Sequence, residues 1–288
     1  MSYVRWEHRP QLRRPYLVAA FEGWNDAGEA ASTAVRHLTE EWGAERFATL
    51  DPEDFYDFTV ARPHVRLEGG FTRRIDWPTP TFTAARLPGS VHDVVLLSAI
   101  EPSLQWRTYC EDVLEVAAAL GVERVFTLGA LLADVPHTRP VRVSGTATDG
   151  HLIDELGFTR SRYEGPTGIV GVLHDAFATI GIPGASLWAA TPHYLSQTPS
   201  PKAALALVEK VAQLLGTSVD TTALQIATTA YERQVDEMLA GEDDVVDYVR
   251  RLEEDAVDDA DDDADEIEIP HPDALAAEVE RFLRDQGR

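Results

Sequence analysis

The sequence predicts an α/β protein: a mostly parallel or mixed sheet with helices on both faces, followed by a helical extension. Three observations carry this. Short apolar runs that suit strands buried on both faces recur between Tyr16 and Thr191. Helical patterns alternate with them, and such alternation calls for parallel strands joined by crossover helices. From Ser218 onward the alternation stops, and helical patterns follow one another directly.

"YLVAAF" (Tyr16–Phe21) is the first buried strand. Ala27, Ala30, Ala31, Ala34, Val35 and Leu38 then recur at helical spacing, and Gly43 closes that helix. "ERFATL" and "TFTAARL" are strand candidates. "VRLEGGFTRRI" is a hairpin with Gly69 and Gly70 at its turn. "DVVLLSAI" (Asp93–Ile100) is the clearest buried strand, and a helix from about Ser103 to Leu120 follows it. "RVFTLGALL" and "VRVSGTA" read as strands and "HLIDELG" as a short helix. "TGIVGVLHDAFATIG" is an amphipathic helix, and "GASLWAAT" is another buried strand. Ser200-Pro201 starts the next helix with a hydroxyl cap and a proline at the first position, where its missing N–H does no harm. Two further helices lie in "DTTALQIATTAYERQVDEMLA" and "DDVVDYVRRLEEDAV". The expected organisation is an α/β domain over 1–217 and a helical extension packed on it over 218–258. An acidic, disordered linker over 259–270 and an amphipathic helix over 271–288, with Leu275, Val279, Phe282 and Leu283 on one side, complete it.

The chain has 288 residues, 44% of them hydrophobic, enough for a substantial core. No apolar run approaches the roughly 18–20 residues of a membrane span. "MSYVRWEHRP" has no apolar signal core, so a cytoplasmic location is expected. The single cysteine, Cys110, excludes an internal disulfide and reads as a packed thiol on a helix. The net charge is −24. Between Glu242 and Glu268, 15 acidic residues face only Arg250 and Arg251, a local net of −13 that leaves −11 on the rest. Such a chain argues against a nucleic-acid partner, which needs Lys and Arg concentrated on one face. Metal binding by the acidic run is not expected, because it lacks the glycine and ligand spacing of a calcium loop.

Ligands of open parallel sheets sit beyond the carboxyl ends of the strands. Four polar groups fall there: Glu22/Trp24/Asn25/Asp26, then Glu101, then Asp134/His137/Arg139, then His193/Tyr194. As an enzyme, the chain would draw its acid/base and anion-binding groups from Glu22, Asp26, Glu101, His137 and Arg139. Each also has a structural role available. Asp26 with Glu29 three residues on has capping-box spacing, and capping outweighs catalysis for Asp26. Glu101 before Pro102 can take backbone N–H groups, and Asp134, His137 and Arg139 can bond within one loop. The "YEGPTG" loop is rich in turn formers. No GxGxxG, GxxxxGK[ST], HExxH, CxxC or GxSxG frame is present, and the nine histidines form no metal pair at helical spacing. No cofactor or metal is therefore expected.

Four stretches together, "FEGWNDAG", "AIEPSLQWRTYCEDVLE", "LGALLADVPHTRPVRVSGTA" and "YEGPTGIVGVLHDAFATIGIPGASLWAATPHYLSQTPSPKAALALVE", resemble the PAC2 (proteasome assembly chaperone 2) family, most closely its actinobacterial members. The resemblance spans about Tyr16 to Gly216. It implies an α/β/α sandwich similar to phosphorylases and hydrolases. It implies no established enzymatic activity, and a binding role toward proteasome α-subunits during ring assembly. It also implies homo- or hetero-oligomers, trimers among them. Chaperones of this kind often dock through a terminal hydrophobic-Tyr-X tail. This chain ends Asp285-Gln286-Gly287-Arg288, so docking by that route is not expected. The expected function is a non-enzymatic assembly protein. The alternative is a nucleoside- or small-anion-binding protein or enzyme that uses the crevice at the sheet edge.

Overall fold

The structure, a computed structural model, describes residues 2–147, 150–160, 164–241 and 243–258. The expected linker over 259–270 and terminal helix over 271–288 lie outside them.

The chain opens with a short strand, β1 (Val4–Trp6), and the central strand β2 (Tyr16–Glu22). Helix α1 (Ala30–Glu41) and strand β3 (Glu45–Leu50) follow. Next come the hairpin of β4 (His64–Glu68) and β5 (Thr72–Asp76), then β6 (Thr81–Ala85) and β7 (Val94–Ile100). Helix α2 (Trp106–Leu120) leads to β8 (Arg124–Ala133) and β9 (Val143–Ala147). The next elements are α3 (Gly150–Leu156), β10 (Thr159–Arg160), α4 (Ile169–Thr179), β11 (Gly184–Pro192) and α5 (Pro201–Leu215). Helices α6 (Thr222–Leu239) and α7 (Asp243–Asp258) follow.

One sheet runs β1-β3-β6-β7-β2-β8-β11-β9-β10, and β4-β5 form a separate hairpin. The centre is parallel: β7, β2, β8 and β11 all point the same way. The flanks are antiparallel at β1/β3, β3/β6, β6/β7 and β11/β9. The sheet is thus mixed, for a physical reason. Parallel neighbours need a long crossover, and each central pair has one. Strands β6 and β7 are joined with no helix between them, so they turn back on each other.

Strand β2 shows how the layers form. Tyr16, Val18 and Ala20 face a core shared with α1 and α5, while Leu17, Ala19 and Phe21 face one shared with α2 and α4. A strand buried on both faces has no polar alternation, which is why "YLVAAF" is a continuous apolar run. Cys110 is buried on α2, and burial pushes its thiol up to about 12, which removes thiolate chemistry at neutral pH. Helix α5 starts as its sequence predicts: Ser200 Oγ accepts a hydrogen bond from the Ala203 N–H at 3.3 Å, with Pro201 at the first position. Helix α2 begins at Trp106 rather than near Ser103, because Gln105 takes a left-handed conformation, φ 52°, that breaks the helix there. Helix α6 packs on α5, and its Tyr231 and Val235 form a small cluster with Leu195.

Candidate functional site

The carboxyl ends of β2, β7, β8 and β11 converge on one edge, as parallel central strands must. The joint after β2 is a Gly23 turn, φ 123°, then a 3-10 turn over Ala27–Glu29. Asp26 is a cap, but not in capping-box form. Its Oδ1 reaches past the 3-10 turn to accept from the N–H groups of Ala31, at 2.7 Å, and Ser32, at 3.2 Å. Glu29 is instead the residue that enters α1, in a left-handed conformation with φ 51°. Burial raises the Asp26 pKa, and the bonds from Ser32 and Ala31 pull against it.

Glu101 has the same kind of duty at a different helix. Its Oε1 accepts from the Ile169 N–H at 2.8 Å, at the start of α4. Glu22 is half-exposed and lies 3.9 Å from the Arg36 guanidinium. Burial is the main cause that raises the Glu22 pKa.

His137 and Arg139 lie elsewhere. His137 is buried, and its backbone N–H donates to the Tyr194 hydroxyl at 2.8 Å. Its Nδ1 lies 2.8 Å from the same hydroxyl and its Nε2 lies 3.0 Å from Asp236 of α6. If Tyr194 donates to Nδ1, Nε2 carries the ring proton and donates to Asp236. His193 pairs with Asp134 at 3.0 Å, and Tyr248 of α7 donates to Asp134 at 3.1 Å. Lys202 bridges the His137 carbonyl, at 2.6 Å, and Glu232, at 2.5 Å. These groups tie the 134–139 loop, the residues after β11 and α5 to helices α6 and α7. Arg139 is exposed on the same loop. The five candidate residues therefore form no common acid/base cluster: Asp26 and Glu101 hold helix starts, and His137 is tied to α6.

The edge does hold a crevice of about 1030 Å³. Its walls are the 23–29 joint, the 165–168 loop, one side of α4, the ends of β8 and β9, part of β11 and the 196–199 loop. Trp24 and Asn25 stand at its mouth. A Cβ on Gly168 would stand 2.5 Å from Asn25 Nδ2 and 2.7 Å from Glu101 Oε1, so only glycine fits there. Deeper in, Thr127, Ser186 and His174 meet. The Thr127 hydroxyl donates to Ser186 Oγ at 3.0 Å, and His174 Nε2 lies 2.8 Å and 2.9 Å from the two oxygens. Burial lowers the His174 pKa to about 4, so the ring is neutral near pH 7.

The sequence reading missed this second group. Its signals were faint but physical: Thr127 and Ser186 are polar interruptions in apolar strands, and His174 sits within an apolar helix face. A register pair between β8 and β11 brings the two hydroxyls side by side.

A layered mixed sheet whose edge carboxylates Asp26 and Glu101 serve helix starts defines an α/β/α sandwich with an open crevice at that edge. The chain belongs to the PAC2 family, whose model matches residues 20–239. It is similar to the crystal structure of a PAC2 family protein from Streptomyces avermitilis, with 50% identity and a TM-score of 0.76, covering 82% of this chain and 99% of that one. It is also similar to a Mycobacterium tuberculosis proteasome-assembly chaperone homologue, with 46% identity and a TM-score of 0.74, covering 81% and 99% of the two chains. An uncharacterized protein of Methanocaldococcus jannaschii is 26% identical over 232 residues, 78% of this chain and 84% of that protein. Among the described residues, no helix is long and apolar enough to cross a membrane.

Proposed function

We propose that this chain is a cytoplasmic, non-enzymatic assembly protein that holds α-type proteasome subunits or a similar ring-forming partner. Membership of the PAC2 family and a 46%-identical relative described as a proteasome-assembly chaperone homologue support a protein partner. The structural observation that carries the reading is the β4–β5 hairpin. Val65, Leu67 and Ile75 are exposed, and Phe71 at the turn is 93% exposed. Val65 pairs with Ile75, so these two and Leu67 share one face. A lone two-stranded hairpin gains little stability by itself, and an apolar face on it serves contact with another protein. On the hairpin itself Glu68 and Asp76 pair with Arg66 and Arg74, which leaves Arg62 and Arg73 as a small basic surplus beside the apolar face. We take residues 1–217 as the α/β body and 218–258 as an extension held on it by α6 and the His137 clamp. The whole functions as a homo-oligomer, a trimer by analogy with the family.

The test uses the full chain and purified α-subunits from an actinobacterium, mixed and resolved by size-exclusion chromatography with light scattering. Co-elution is expected, together with loss of co-elution for Val65→Asp/Phe71→Asp while the body melts unchanged. Separate elution of the two proteins at tens of micromolar would remove the reading.

A further inference from the structure

We propose that the crevice beside α4 binds a small aromatic ring compound that carries no negative charge, such as a neutral nitrogen heterocycle. Size is the first support. At about 1030 Å³ the crevice lies at the upper end of ordinary small-molecule sites.

Charge is the second. The α1 and α4 starts face this edge, and helix starts attract anions. Here both are already taken, by Asp26 and Glu101. Glu29 and Asp175 add negative charge to the lining, and its described residues include no Lys or Arg. Among the described residues, a phosphate or carboxylate would meet repulsion with no counter-charge.

Unsatisfied polarity is the third. Asn25 is 6% exposed, and its Nδ2 has no hydrogen-bond partner among the described residues. A buried amide donor without an acceptor keeps its full desolvation cost. It stands beside Gly168 at the mouth, where a ligand acceptor or a ligand-held water would relieve it.

The floor is the fourth. Thr127 donates to Ser186, and Ser186 in turn can donate to His174 Nε2. Thr127 Oγ1 also lies 2.8 Å from that nitrogen, so the hydroxyl pair engages Nε2, while Nδ1 lies beside Gly184 on the crevice wall. Such a buried polar group is costly in a face that apolar side chains could fill. It gives a ligand a fixed polar partner. Two indoles supply flat surfaces. Trp24 is 59% exposed and packs 3.3 Å from the Cβ position of Gly168, while Trp188 lies over Gly129. Aromatic faces of this kind favour rings and cations over anions.

The experiment is saturation-transfer NMR on the full chain with charge-matched probes: adenosine against AMP, and indole-3-acetamide against indole-3-acetate. Tryptophan fluorescence quenching reads the same binding. The neutral member of at least one pair is expected to bind, with its anionic partner about tenfold weaker or worse. Trp24→Ala, a surface change that leaves folding intact, and Ser186→Ala are each expected to weaken it about fivefold. Phe71→Asp on the hairpin is expected to leave it unchanged. Silence from all four probes, equal or tighter binding of the anions, or binding indifferent to both crevice variants would overturn the proposal. None of these results bears on the protein partner, so the two readings stand or fall separately.

Discussion

Asp26 caps α1 from a distance of five and six residues, so its worth is structural and measurable. Asp26→Ala removes the acceptor of two backbone N–H groups and is expected to cost about 1–2 kcal/mol in urea denaturation. An unchanged midpoint would show that the carboxylate holds nothing. Asp93 is a stronger case. It is fully buried, and it takes the Arg13 guanidinium at 2.6 Å and the N–H groups of Arg13, at 2.6 Å, and Leu87, at 3.1 Å. Burial pushes its pKa up, but Arg13 and the two amides outweigh that and hold it below the ordinary value. A depressed folded pKa means stability that is present above about pH 4 and lost as pH falls through the folded value. Asp93→Asn is expected to cost about 2 kcal/mol at pH 7 and to flatten the acid limb of a stability–pH curve. An acid limb identical to that of the unmodified chain would contradict this. Asp26 works in the opposite sense, since its raised pKa lets the folded state take up a proton first. At this scale the sequence was half legible. That Asp26 caps a helix followed from its residue type ahead of a helical pattern, while the capping-box spacing with Glu29 did not hold. That Glu101 serves a helix about seventy residues away did not, because the partner N–H is set by tertiary structure alone.

The elements were legible wherever one side of the pattern was unambiguous. The β7 run, the α5 start and the β4–β5 turn all carry local chemistry that no tertiary contact has to override. Ser200→Ala is expected to lower stability by about 1 kcal/mol through the lost α5 cap, read by thermal denaturation. A loss below a few tenths would mean that Pro201 alone fixes the start. Strands β1 and β10 were missed for a shared reason. They are three and two residues long and sit at the two sheet edges, where pairing rather than periodicity makes a strand. The antiparallel flanks were also hidden, since direction depends on connections and not on composition. The crevice floor was hidden more deeply: Thr127, His174 and Ser186 come from three elements and meet only through sheet register and helix packing.

The whole molecule combines an apolar two-layered core, a strongly acidic overall charge and a hairpin with an exposed apolar face. That distribution suits a protein that meets other proteins. The alternation of strands and helices carried the architecture from sequence to structure, because burial on both sheet faces leaves a pattern that no surface requirement blurs. Function was less legible, because Asp26 and Glu101 have the residue types of an active site while their carboxylates accept from backbone N–H groups at helix starts. The most direct measurement is cross-linking mass spectrometry on the tagged full chain captured from native lysate of an actinobacterium. The account predicts cross-links between the segment 62–77 and an α-type proteasome subunit or another ring-forming protein, in amounts comparable to the bait. Cross-links confined to copies of this chain, with no second protein in comparable amount, would contradict it.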